Sequence, residues 1–396
     1  MSSDIVLQLL VRGCDSVEIP EFKKLRRAYG FDEVAIVPVS VTINPDQTNV
    51  SLQIDEFEFP IPFMASSLDA VASPEFAISL GKMGGLAVLN LEGIYTRHED
   101  AESIIKEIAQ ASQEQATPLL QKIYSTPIKE NLIGKRIEKI KKGGVCCAIS
   151  LTPANTKRLA PIAVEAGADI LFIQSTVTTA RHISKSETGL NIADICSNVK
   201  IPVVVGNTVT YQATLELMET GVHGVLVGVG PGAICTTREV EGIGVPQVTA
   251  TLDCAAARQE YYKRTGRYVP IITDGGMRTG GDICKAIASG ADGVMLGTTF
   301  AQAEEAPGMG YNWGMASFHP ALPRGTRIHV GSKAPLKQIL FGPTSMTDGT
   351  QNLEGALKAA MGMCGAMDIA EMQKTDLVIA PAIKTEGKYF QLAGRW

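Results

Sequence analysis

One local pattern recurs along the chain and restricts its folds more than any other feature: a helix-like stretch, a glycine stop, then a short apolar run. It reads "FAISLGKMGGLAVLN" (76–90), "IAVEAGADILFIQS" (162–175), "LELMETGVHGVLVGV" (215–229) and "ICKAIASGADGVMLGT" (283–298). Glycine just past a helix takes the left-handed backbone that ends it. The Val/Ile/Leu runs that follow do not alternate with polar residues, as expected of parallel strands covered on both faces. Between these units lie four more apolar runs, "FPIPFMASS" (59–67), "VCCAISL" (145–151), "IPVVVGN" (201–207) and "VPIITDGG" (269–276). Taken in order they give eight strands, ending near Ser67, Asn90, Leu151, Ser175, Asn207, Val229, Asp274 and Thr298. Eight βα units over about 300 residues predict a (β/α)8 TIM barrel of the α/β class. An open doubly wound sheet would carry G-x-G-x-x-G in its first βα turn, and none follows the first strand.

The rest of the chain is arranged around that barrel. A single catalytic domain over 1–396 is expected, with the barrel core at about 59–380, an N-terminal extension, a helical excursion at 91–144 and a C-terminal tail. A net charge of −5 with mixed signs gives no case for nucleic acid, and the basic run "KRIEKIKKGG" (135–144) reads as the solvated face of a helix. No apolar run reaches the length of a membrane span, and the N-terminus lacks the basic region and cleavage site of a signal peptide. The eight cysteines form no CxxC and no zinc-spaced cluster. Cys146, Cys147, Cys254, Cys284 and Cys364 fall in apolar or helical patterns and read as packed thiols, a usage that suits a reducing cytoplasm. Met83, Met361 and Met363 read as core, and Asp69 and Asp282 fit either helix caps or functional groups.

In a (β/α)8 barrel the residues just after each strand form the functional face. Here they are polar: "SSLD", "QSTVTT", "GNT", "GVGPGAICTT", "DGGMRTGG" and "GTT" follow strands one and four to eight. The segments after strands seven and eight supply glycine amides, hydroxyls and helix starts where such barrels bind phosphate. Cys235 stands at the end of the glycine-rich turn after strand six, where a packed thiol, a ligand and a nucleophile are each conceivable.

These loops resemble the IMP dehydrogenase/GMP reductase family. The resemblance rests on "GVGPGAICTTREVEGIGVPQVTA", "ITDGGMRTGGDICKAIASGADGVMLGTTFAQAEEAPG", "RRAYGFDEVAIVP", "PFMASSLDAV" and "MGMCGAMDIAEM". It implies that Cys235 adds to C2 of a purine nucleotide so that hydride moves between C2 and a nicotinamide. It implies further that Thr237 orients water or ammonia, that Asp274 accepts ribose hydroxyls, and that Gly276, Gly297 and Thr298 contact phosphate. Asn207 matches a residue near purine and nicotinamide, and Gln174 stands where the family has a cofactor-binding aspartate. The carbonyls of Gly230, Gly232 and Cys235 match those that hold a monovalent cation such as K⁺. The family also implies a homotetramer, or paired tetramers forming an octamer.

The chain departs from the family in ways that bear on the reaction. Residues 91–144 are too few for the regulatory nucleotide-binding modules, and the flap after "YNWGMASFHP" is short. It lacks the Arg-Tyr pair of the dehydrogenases and has Arg324 where the reductases carry glutamate. Ala233 replaces a phosphate-binding serine. "HPALPRGTRI", "KQILFGPT" and "APAIKTEGKYFQ" resemble the short IMP dehydrogenase-related proteins that lack regulatory modules. The resemblance thus implies NAD-dependent oxidation of IMP to XMP, with Arg324 or Arg327 as base. NADPH-dependent reduction of GMP is the alternative, and a non-catalytic nucleotide-binding protein is a third.

Overall fold

The structure, a computed structural model, describes residues 25–182, 190–314 and 327–380. Its strands in chain order are β1 (Val34–Ile36), β2 (Leu52–Ile54), β3 (Phe57–Phe59), β4 (Phe63–Ala65), β5 (Leu86–Asn90), β6 (Ala148–Leu151) and β7 (Ile170–Gln174). β8 (Val203–Thr208), β9 (Gly224–Val227), β10 (Ile271–Asp274), β11 (Gly293–Leu296), β12 (Tyr311–Trp313), β13 (Arg327–His329) and β14 (Leu377–Ile379) follow. β4 to β11 pair in parallel, each with its chain neighbours, and β11 returns to β4, so the sheet closes into an eight-stranded barrel. The eight sequence-predicted strands are these eight, each ending within two residues of its expected end.

The unbroken apolar runs have a direct structural cause. One set of alternating residues, including Met64, Val88, Phe172, Val204, Leu226, Ile272 and Met295, fills the barrel interior. The other set, such as Phe63, Leu89, Ile149, Leu171, Val205 and Val294, meets the surrounding helices. Both faces are dry, so neither can be polar. The antiparallel β2–β3 hairpin plugs one end of the barrel with Leu52, Ile54 and Phe59. That end is the N-terminal one, because a Cβ on Gly293, the first residue of β11, would lie 2.8 Å from Leu52 Cδ2. The opposite mouth stays free for function.

The excursion after β5 consists of three helices, Ala101–Gln110, Gln113–Ser125 and Glu130–Lys142. Asp100 and Ser112 cap the first two by accepting from Ser103 N and Gln115 N. The basic run lies on the third helix, whose Leu132, Ile133, Ile137 and Ile140 are buried while its lysines face solvent. These helices pack under the β12–β13 hairpin through a buried polar chain. Trp313 Nε1 donates to Tyr124 Oη at 2.9 Å, and Tyr124 donates onward to Asp69 Oδ2 at 2.7 Å. Asp69 also accepts from Ile94 N at 2.7 Å, so it joins the β4 loop to the excursion rather than capping a helix. Of the methionines read as core, Met361 is buried, whereas Met363 is 56% exposed because it faces outward from the last turn of Leu353–Met363.

Tyr124→Phe removes the hydroxyl that satisfies the indole N–H inside the protein. The expected loss is about 1–3 kcal/mol of stability, read as a lower denaturation midpoint, with a smaller loss for Trp313→Phe in the Tyr124→Phe background than in wild type.

Candidate functional site

The C-terminal ends of β8, β9 and β10 bring most of the singled-out residues together. Asp274 ends β10, and Asn207 near the end of β8 donates from Nδ2 to its Oδ2 at 2.8 Å. Burial pushes the Asp274 carboxyl up to about 6, while the Asn207 amide, which favours the charged form, pulls against that rise. Gln247 opens the helix Gln247–Thr265 and is buried. Its Nε2 donates to the carbonyls of Val227 and Asp274 at 3.1 and 2.9 Å, tying β9 to β10. The approach is close enough that a Cβ on Gly228, at φ +149°, would lie 2.4 Å from the Asp274 carbonyl oxygen, so only glycine fits.

The next turns stack on this junction. Gly276 has φ +81°, and a Cβ there would meet Pro231 Cβ at 3.1 Å. The DGG turn therefore rests directly on the glycine turn that leads to Cys235. Within that turn Gly230 has φ +71°, and Cys235 N donates to Gly232 O at 3.0 Å. The Cys235 thiol donates to Thr237 Oγ1 at 3.3 Å, and Thr237 is buried at the start of the short helix Thr237–Val240. Among the described cysteines Cys235 alone is exposed. Burial pushes the thiols of Cys147, Cys254 and Cys284 up to about 12, which keeps them protonated and inert.

Across the mouth, Gly297 ends the β11 run and precedes Thr298–Ala301. A Cβ there would sit 3.6 Å from Ser66 Oγ, so the last barrel strand faces the first at this level. Thr298 is half-buried. Gln174, the last residue of β7, accepts from Ser67 Oγ at 2.8 Å, and its Nε2 lies 3.9 Å from Met295 Sδ. Its amide thus bridges the barrel from β7 toward β4 and β11, and offers a neutral surface where a carboxylate was the family expectation.

The flap candidates fare differently. Arg324 lies outside the described residues. Arg327 is buried, donates to the carbonyls of Ile108 and Ala109 at the end of the helix Ala101–Gln110, and stacks 4.4 Å over the Tyr311 ring. Carbonyls at a helix C-terminus and an aromatic face both attract a guanidinium. Arg327 is therefore a fastener of the β12–β13 hairpin, and its burial against the excursion speaks against it as the alternative base. Gln247 and Arg238 are positions that the sequence reading passed over. Both lie within the "TTREVEGIGVPQ" run, and neither carries a local signal of its own.

The architecture is a closed (β/α)8 barrel whose C-terminal mouth sets an exposed cysteine beside glycine turns and a half-buried carboxylate. Residues 28–319 match the IMP dehydrogenase / GMP reductase domain, and the chain belongs to that family of oxidoreductases. An uncharacterized oxidoreductase of Mycobacterium tuberculosis (strain ATCC 25618 / H37Rv) is 41% identical over 372 residues, covering 92% of this chain and 99% of its own. The inosine-5'-monophosphate dehydrogenase of Cryptosporidium parvum is 30% identical over 396 residues, covering 89% and 92%. In solved structures, an IMP dehydrogenase/GMP reductase-like protein from Corynebacterium glutamicum superposes with a TM-score of 0.86 at 38% identity, covering 92% of this chain and 97% of its own.

The Asp274 carboxyl fixes a pH dependence. Folding raises its pKa to about 6 from an ordinary value near 3.8, so the native state holds this proton to higher pH than the unfolded chain. Its contribution to stability is then greatest below about pH 4 and is lost as pH rises through about 6. Asp274→Asn, which cannot ionise, is expected to be more stable than wild type at pH 7.5, with the gap narrowing toward pH 5. Chemical denaturation across that range checks it, and a gap that widens on acidification contradicts the assignment.

Proposed function

We propose that the protein oxidises IMP to XMP with NAD, through a covalent bond between Cys235 Sγ and purine C2. The observation that carries the reading is the exposed thiol of Cys235, placed beside the buried Thr237 hydroxyl on a turn that packs against the Asp274 turn. Asp274 accepts the ribose hydroxyls, and Gly276, Gly297 and Thr298 receive the phosphate. Sγ forms the bond to C2 as the thiol proton leaves to solvent, and C2 gives up its hydrogen with the electron pair. NAD supplies the hydride acceptor when bound, and the residues that would hold its nicotinamide end are Asn207 and Gln174. Their amides are polar and uncharged, which fits a carboxamide-bearing ring. Thr237 then orients a water whose oxygen adds to C2. Cleavage of the C2–S bond releases XMP and restores the thiol.

The K⁺ of this reading would be held by the carbonyls of Gly230, Gly232 and Cys235. Neutral backbone oxygens suit a hard monovalent cation, and no group of three or more His, Cys, Asp or Glu residues among the described residues is arranged for a metal ion. Among the described residues no helix is long and apolar enough to cross a membrane. The same reading carries a homotetramer, or an octamer of paired tetramers, in the cytoplasm, and a single catalytic domain over the whole chain.

The second reading is NADPH-dependent reduction of GMP to IMP and ammonia, which three plain helices in place of regulatory modules favour. Purified protein given IMP with NAD⁺, or GMP with NADPH, is followed by nicotinamide absorbance. Turnover with the first pair only is expected; turnover with the second only replaces the dehydrogenase by the reductase, and turnover with neither leaves a binding protein. Cys235→Ala is expected to abolish turnover with nucleotide affinity kept within about tenfold, since phosphate and ribose contacts carry most of the binding. IMP is expected to protect Cys235 from alkylation.

The base for hydrolysis is assigned to Arg324 of the flap. Hydride transfer needs positioning but no strong base, whereas hydrolysis needs a deprotonated water. Arg324→Ala is expected to give a burst of NADH close to one per active site, then a slow steady state that recovers as pH rises. Unchanged steady-state turnover moves the base elsewhere, with Lys388–Tyr389 of a neighbouring subunit next.

A further inference from the structure

The turn that carries Cys235 is closed by one side chain that the reading above leaves without a role. Arg238 donates from Nε to Val229 O at 3.1 Å and from Nη2 to Val245 O at 2.7 Å. Those carbonyls stand on either side of the cysteine turn, so one guanidinium draws its two ends together. The backbone has made room for it at both ends. A Cβ on Gly230 would lie 2.7 Å from Arg238 Cγ, and a Cβ on Gly244 would lie 2.7 Å from Nε and 2.9 Å from Val229 O. Both glycines have positive φ, at +71° and +159°. Any other residue at either position would push the fork away.

Arg238 pairs with no carboxylate among the described residues and binds only those two carbonyls. Arg136, Arg267 and Arg327 likewise hold backbone carbonyls elsewhere in the fold. Glu239 and Glu241 beside Arg238 are exposed, so its donors are spent on the turn itself.

We propose that Arg238 is a positioning residue: its fork closes the turn so that Cys235 is presented to the mouth. This rests on Cys235 being the nucleophile. A guanidinium serves the task because its planar donors fix two carbonyls at once.

The test uses the full-length protein, with Arg238→Gln and Arg238→Lys, each of which removes the planar fork. Amide hydrogen exchange is followed over 229–245, and turnover is measured with IMP and NAD⁺. Both variants are expected to exchange about tenfold faster across this turn with the barrel strands unchanged, and to lose about tenfold or more in kcat with the KM for IMP little changed. If Arg238→Gln does not fold, Arg238→Lys decides alone. Wild-type exchange across the turn in a folded variant overturns the clamp, and an unchanged kcat overturns the positioning role. Exchange is read on the apo protein and needs no turnover. An active Cys235→Ala protein would thus refute the nucleophile while leaving the clamp measurement standing.

Discussion

The site depends on the contact between the ends of β9 and β10. Gln247 bonds a carbonyl of each strand, and the missing Cβ of Gly228 lets the two backbones meet. From that junction the Asp274 turn and the cysteine turn rise in contact, with Gly276 against Pro231. Hydrogen bonds to a buried amide are costly to leave unmade, so the junction resists opening. The groups assigned to ribose and to purine C2 are held at one spacing because their supports share this seam.

The barrel was legible in the sequence because its strands are buried on both faces. That condition leaves runs such as Val203–Val205 and Ile170–Ile173 with no polar interruption, and in four units a glycine after the helix marks where the next run begins. The mouth was legible for the same reason, since polarity returns where a strand leaves the wall. Asp274 and Asn207 were singled out this way and share a hydrogen bond, while Cys235 stands on the turn packed against theirs.

Other features could not be read because they depend on distant partners. Asp69 fitted a helix cap on local grounds, yet it accepts from Tyr124, which is 55 positions away. Arg327 looked available as a base until the excursion supplied carbonyls for its guanidinium. Met363 has the spacing of a core residue, but its side chain leaves the helix on the side away from the buried Met361. Gln247 and Arg238 carry no motif by themselves; only the closed turn shows what they hold.

The β1–β14 pair has a consequence for the chain's connectivity. Val34 to Ile36 lie antiparallel to Leu377 to Ile379, so segments more than 300 residues apart in sequence are stitched into one ribbon outside the barrel. A barrel already closes its own sheet, and this ribbon closes the polypeptide around it as a clasp closes a band. Unfastening either side would bare a row of unpaired amides and carbonyls, the kind of edge that recruits other strands. The clasp therefore holds together two segments that the order of the sequence places far apart.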